Sequence, residues 1–185
     1  MDAFDINRIM QSFRIIVDTR EQETKRARQR YADMETEYSR AVLDYGDYTY
    51  NLTLPGGELH DVSNRIKGRC VIERKQNLDE LAMCFTRSRD RFKREFERAA
   101  AAGARVYLLT ENASIDMILS GQYRSRFRPQ SFIASLMAWS VRYNMVPVFC
   151  DMKNSGRMIR EILYRDAKER LERGELCGNT KTVNS

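Results

Sequence analysis

Apolar positions in this chain run in two periods, and segments of each period alternate. "FRIIVD" (13–18) is an unbroken apolar, β-branched run closed by an acid, which predicts a strand buried on both faces. The polar stretch 19–38 is rich in helix formers and predicts a helix, or a helix plus a loop. β-Formers lie on either side of Gly46 in "SRAVLDYGDYTYNLTL" (39–54), predicting two strand segments that meet at a bend or bulge in "DYGDY". A turn-rich connection (55–68) leads into a further strand, "RCVIERK" (69–75), expected to pair antiparallel with 46–54. Leu78, Leu81, Met83 and Phe85, then Phe92, Phe96, Ala99 and Ala100, predict one long helix over 77–104, capped by Asn77 and ended by Gly103. A short strand (105–110), a short helix (114–121), a helix opened by Pro129 (129–144), a last strand (145–150) and a terminal helix (155–173) complete the pattern.

That order predicts an α/β layered domain with a central mixed β-sheet flanked by helices. We expect residues 1–12 to be an N-terminal extension, 13–173 one domain and 174–185 a frayed tail; no repeat or Pro- or Ser-rich linker divides the chain. Its 185 residues are enough for a single sizeable core, and 42% hydrophobic with 31% charged residues describes a globular chain. No apolar run approaches the roughly 20 residues that span a bilayer, and "MDAFDINRIMQSF" has no apolar signal core, so no membrane or secretory role is expected. The cysteines at 70, 84, 150 and 177 form no CxxC pair, and free thiols in a reducing, cytoplasmic setting follow. His60 falls in a predicted loop and is read as solvated or locally bonded.

Charge adds a partner. The net charge is +6, unevenly spread: 86–98 holds six basic residues against three acids, and "YRSRFRP" (123–129) holds three arginines and no acid. Clustered arginine fits a phosphate-bearing partner, although a solvated helix face would give the first cluster equally well.

Chemistry enters through acids that close apolar runs or sit at the bend: Asp18 with Glu21 beyond it, Asp47, and Glu73 beside Lys75. Alternation along a strand puts Glu73 and Lys75 on one face and Arg74 on the other. An isolated E-x-K pair is satisfied by a plain ion pair. Several carboxylates at strand ends facing one crevice instead repel one another unless a cation lies among them. A hard divalent ion answers that conflict, and a neighbouring lysine can steady the anion that builds on a phosphodiester.

"IIVDTRE" (15–21), "LDYGDY" (43–48) and "VIERKQNLDEL" (71–81) resemble the nuclease domain of the XPF and archaeal Hef proteins, within the PD-(D/E)xK nuclease superfamily. The resemblance runs from about residue 13 to about 172 and implies a restriction-endonuclease-like fold and metal-dependent cleavage of branched or structured DNA, with Mg²⁺ or Mn²⁺ as cofactor. Carried over by position, Asp47 and Glu73 are the main metal ligands and Lys75 the catalytic lysine. Asp18, directly or through water, and Glu21 support the metal, while Asp79 closes the motif and is expected to hold Lys75 or the helix start. Arg74 is kept in the motif for a reason that alternation does not supply. Arg87 and Arg91 match basic positions after the motif; with Arg74, Arg124 and Arg126 they are the candidate DNA contacts.

Family members carry tandem helix-hairpin-helix motifs after the nuclease, and none is present in this sequence, which leaves substrate choice open. The nuclease domain also pairs with a second copy in the family; here Phe132, Met137, Trp139, Tyr143 and Phe149 either fill the core or supply that surface, Trp139 being the residue to test. Tyr45 and Tyr48 either stack on an exposed base or brace the bend. The competing reading is a DNA-binding or scaffolding subunit that keeps the fold and acts through a partner.

Overall fold

The computed structural model describes residues 2–55, 57, 58 and 67–176. In chain order the elements are α1 (Ala3–Met10), β1 (Arg14–Asp18), α2 (Lys25–Asp33), β2 (Tyr38–Ala41), β3 (Tyr48–Asn51), the short β4 (Thr53–Leu54) and β5 (Gly57–Glu58), and β6 (Cys70–Lys75). Then come α3 (Leu78–Phe85), α4 (Arg89–Ala101), β7 (Arg105–Glu111), α5 (Ile115–Leu119), α6 (Pro129–Tyr143), β8 (Met145–Cys150) and α7 (Ser155–Glu172). His60 and Cys177 lie outside the described residues, and Cys70, Cys84 and Cys150 are free thiols.

Six strands form one mixed sheet in the order β2-β1-β3-β6-β7-β8. β1 is parallel to β2 and antiparallel to β3, β3 is antiparallel to β6, and β6, β7 and β8 run parallel. The expected pairing of β3 with β6 is present, with Tyr48 opposite Ile72. The two strand segments expected to meet around Gly46 are not neighbours in the sheet, because β1 lies between β2 and β3.

Both sheet faces are covered, so the central strands are apolar without alternation. On one face Ile15, Val17, Tyr48, Tyr50, Cys70, Ile72 and Leu109 pack against α1, α2 and α7. On the other, Val71, Val106 and Leu108 pack against α3, α4, α5 and α6. The N-terminal stretch contributes to this layering, since α1 buries Ile6, Ile9 and Met10 in the same core as α7. Where α7 begins, Gly156 allows direct backbone contact with α2: a Cβ there would lie 2.3 Å from the Arg30 carbonyl oxygen.

The single helix expected over 77–104 is two. Thr86 leaves helical geometry (φ −118°, ψ −91°), its hydroxyl donates to the Ala82 carbonyl (2.8 Å), and the Ser88 N–H donates back to Met83 (3.0 Å). The break reorients α4 so that Phe92 and Phe96 meet Trp139, at ring separations of 5.1 and 5.3 Å. Trp139 is therefore a core residue, 1% exposed, with Phe132 and Tyr143 buried beside it; Met137 is exposed and Phe149 half-buried. Among the described residues no helix is long and apolar enough to cross a membrane.

Trp139→Ala should lower unfolding free energy by about 3–5 kcal/mol, the range for emptying a buried aromatic site. Urea denaturation checks it; a loss below about 1 kcal/mol would return Trp139 to the surface.

Candidate active site

The bend before β3 brings its acid to the centre of the sheet. Gly46 has φ +72°, and a Cβ there would press on Val71 Cβ at 3.0 Å, so only glycine takes this turn without strain. Its N–H donates to Glu95 Oε1 of α4 (3.1 Å). Asp47 follows, pinned by its backbone on both sides: its N–H donates to the Ile72 carbonyl (2.8 Å) and its carbonyl accepts from the Asp18 N–H (2.8 Å). One step along from the Tyr48–Ile72 pair, Asp47 lies opposite Glu73. Asp47 Oδ2 also accepts from the Arg74 N–H (2.7 Å).

Glu73 and Lys75 occupy the α3/α4 face of β6, both buried, and the Lys75 ammonium donates to Glu73 Oε1. Lys75 Nζ also sits 5.3 Å over the Phe92 ring and 4.0 Å from Glu80 Oε1. Glu73 Oε2 is buried without a hydrogen-bond partner. Burial raises both carboxyls above the ordinary range, and each also feels another acid: Asp47 acts on Glu73, and Glu21 on Asp47, while Lys75 opposes both shifts. Burial alone would lower the Lys75 ammonium, yet Glu73 and Asp47 outweigh it and the net shift is upward.

Asp18 and Glu21 are directed elsewhere. The Asp18 carboxylate is closed by Arg20, whose backbone N–H and Nε donate to Oδ1 (2.7 and 2.9 Å) and whose Nη2 donates to Oδ2 (2.6 Å). The Leu43 N–H donates to Oδ2 as well (3.2 Å). Glu21 belongs to a ring of four charges: Arg74 lies between Glu21 (3.2 Å) and Glu111 (3.3 Å), and Arg30 between the same two acids (3.6 and 3.1 Å). Arg30 also donates to the Tyr48 hydroxyl (3.0 Å). The ring lies on the α2 side of the sheet, which gives Arg74 its structural partner set on the face opposite Glu73 and Lys75. Among the described residues, no three His, Cys, Asp or Glu side chains converge as a metal-holding cluster. Asp47 and Glu73 thus stand as a pair, and a pair with one orphaned buried oxygen suits a hard cation that keeps waters in its remaining positions.

Asp79 holds neither Lys75 nor the helix start. Asn77 caps α3 by accepting from the Glu80 N–H (2.9 Å), and Asp79 Oδ1 accepts from the N–H groups of Arg124 (2.7 Å) and Ser125 (3.1 Å). The candidate backbone contacts divide between two clefts. Arg87, Arg124 and Arg126 line one beside Asp79; Arg91 lines another with Glu21, Arg74 and Glu80. Tyr45 and Tyr48 are buried braces, Tyr45 donating to the Gly68 carbonyl (3.0 Å).

Residues 17–161, well over half of the chain, match the ERCC4 domain. The chain belongs to that family. XPF from Aeropyrum pernix is similar in structure, with a TM-score of 0.56 and 20% identity over 83% of this chain and 61% of that one. The same protein in complex with DNA gives 0.57 and 21%, over 85% and 66%. The chain thus spans less than two thirds of either solved chain. This likeness establishes a restriction-endonuclease-like fold, and membership of the ERCC4 family supports a nuclease-type, DNA-processing function. No curated protein matches the chain.

Arg20, Arg30, Glu95 and Glu111 of this ERCC4 domain escape sequence reasoning. Glu111 had a signal, since it closes an apolar strand as Asp18 does; Arg30 and Glu95 sit among like-looking helix residues and had none.

Glu111→Ala should cost about 3–5 kcal/mol, because buried Arg30 and half-buried Arg74 would each lose one of two counter-charges. Equilibrium denaturation measures it. A second expectation concerns pH. With carboxyls raised in the folded state, the metal-free protein binds more protons than the unfolded chain from about pH 4 up to about 8, so its stability falls as pH rises through that window. A divalent cation between Asp47 and Glu73 would relieve the repulsion, so the rise in melting temperature on adding Mn²⁺ should be larger near the top of the window than near the bottom, and absent in Glu73→Gln. An equal rise at both ends would refute the pairing with metal.

Proposed function

We propose that this ERCC4 domain is a divalent-metal-dependent DNA endonuclease acting on branched or otherwise structured DNA, such as repair, recombination or replication intermediates. The observation that carries this reading is the juxtaposition of Asp47 and Glu73 across β3 and β6, with Lys75 on the same face and Glu73 Oε2 unpartnered. ERCC4 nucleases generally use divalent metals, and Mg²⁺ or Mn²⁺ held by Asp47 and Glu73 would supply a Lewis acid toward the phosphate and lower the pKa of a nearby water.

The chain's own groups do the rest. Lys75, kept charged by two carboxylates, presents an ammonium that orients the attacking water and offsets charge on the phosphorane-like transition state. Asp18 supports the site indirectly: by clamping Arg20 and the Leu43 N–H it fixes the β1 end against which the Asp47 carbonyl bonds. Glu21 likewise acts through the ring, placing its negative charge near Asp47 while its two oxygens face Arg74 and Arg30. Arg87, Arg91, Arg124 and Arg126 take up the DNA backbone, which positions a duplex without reading its sequence. DNA as partner is supported by the related archaeal XPF having been captured with it. Pairing of two copies would use the exposed side of α6 and the open edge of β8, where Met137, Val141 and Val146 are exposed. Three free cysteines fit a reducing interior.

The test is cleavage of labelled single-stranded, duplex, flap, fork and four-way DNA in Mg²⁺ or Mn²⁺. Asp47→Ala and Glu73→Ala should abolish cleavage with the fold retained, and Lys75→Ala should slow it about 10²- to 10³-fold. Cleavage by Glu73→Ala at the parental rate would sink the assignment.

A further inference from the structure

Beyond the paired carboxylates, a cleft of about 980 Å³ runs along α3 beside the loop 121–128. Four arginines line it, Arg87, Arg124, Arg126 and Arg128, and Asp79 is its one acid. Among the described residues none of those four guanidinium groups has a carboxylate partner, whereas Arg160, Arg165 and Arg170 of α7 do. Like charges gathered in one concavity sum to a positive potential that attracts a polyanion.

The loop that carries three of them is built to hold them still. Its exposure alternates: Tyr123, Ser125, Phe127 and Pro129 turn inward, and Arg124, Arg126 and Arg128 turn out. The Tyr123 hydroxyl donates to the Phe127 carbonyl (2.7 Å), and both rings pack on Phe132 at 5.3 and 5.2 Å. The Phe127 N–H donates to the Ser125 hydroxyl (3.2 Å). Asp79 completes the anchor by accepting from the N–H groups of residues 124 and 125, and Asp79 lies in the first turn of α3, directly after the strand of Glu73 and Lys75. The first turn of α6 opens beside it with no acid and no side-chain cap, adding the positive end of a 15-residue helix.

We propose that this cleft is a second phosphate-binding site that takes the backbone of the same DNA away from the cut, and that Asp79 is the positioning residue locking it to the β6–α3 segment. The proposal rests on DNA being the substrate. It gives Arg128 a role, and it explains why an acid stands inside an arginine cluster: it bonds the loop's backbone rather than the arginines.

DNA binding in EDTA, followed by fluorescence anisotropy over a range of salt, tests this apart from cleavage. The triple variant R124Q/R126Q/R128Q should lose tenfold or more in affinity, and its slope of log affinity against log salt should fall by about two to three. The same charge loss on the far side of the molecule, R157Q/R165Q/R173Q, should leave the slope within about one of the parent. Asp79→Ala discriminates further. Removing an acid should tighten DNA binding if charge alone matters; we expect weaker binding, with Asp79→Asn, which still accepts from both N–H groups, restoring it. Equal slopes for the cleft and far-side variants would overturn the site, and tighter binding by Asp79→Ala would overturn its anchor. If the parent cuts DNA while the cleft variant keeps its slope, the cleft is wrong and the nuclease reading stands. If the parent binds through the cleft yet cuts nothing in Mg²⁺ or Mn²⁺, the cleft stands and the nuclease reading falls.

Discussion

Two carboxylates are held side by side in the middle of a sheet, and that arrangement costs free energy. Asp47 and Glu73 come from segments 26 positions apart and meet because β3 runs antiparallel to β6. Neither can turn away. Asp47 is tied through its own N–H to Ile72, through its carbonyl to Asp18 and through Oδ2 to Arg74, and Glu73 lies inside a strand paired on both sides. The backbone ladder, with many hydrogen bonds behind it, thus imposes a conflict that the side chains alone would relax. Strain of that kind persists only where surrounding structure over-determines it.

β6 divides its labour by parity. Val71, Glu73 and Lys75 face α3 and α4; Cys70, Ile72 and Arg74 face α2 and α7. On the first side charge is left in conflict, with one buried oxygen unpartnered. On the second it is balanced, two arginines against two glutamates in a closed ring. Buried charge is tolerable when each ion has partners and costly when one is removed, so the ring makes Arg74 a fixed point next to two residues that must not move. At Gly156 α7 contacts α2 at the backbone of Arg30 itself, so the terminal helix packs directly on the residue that supplies the ring's second arginine.

Much of this was legible along the chain because it follows from local patterns. Runs such as "RIIVD" and "MVPVFC" are apolar on both faces and became central or covered strands, and Pro129 opened its helix as its missing N–H permits. The pairing of Asp47 with Glu73 was legible too, since Gly46 marked the bend and strand alternation set the faces. What could not be read depended on contacts between distant segments. Nothing in "TKRARQRY" separates Arg30, which is buried, from Arg26 and Arg28, which are exposed. Asp18 and Glu21 look like ligands in a motif, and only the fold shows Arg20 and Arg30 reaching them first. The helix break at Thr86 was hidden because apolar spacing continues across it; the hydroxyl that bonds back to Ala82 is a tertiary decision about where α4 must point.

That break has a consequence for how the two kinds of charge are arranged. A straight helix over 77–104 would carry Phe92 and Phe96 past the sheet along the axis of α3. Turned at Thr86, α4 sets Phe92 beneath the Lys75 ammonium and Glu95 against the Gly46 N–H, so one helix braces both the lysine and the bend that delivers Asp47. The turn itself leaves Arg87 outside helical packing, on the wall of the arginine cleft. Glu73 and Lys75 therefore sit on a paired strand and Asp47 on the bend that leads into one, where backbone hydrogen bonds fix position, and the arginines of the cleft sit on the turn and loop flanking α3. Asp79 joins the two sets: it bonds the arginine-bearing loop and stands four residues beyond Lys75.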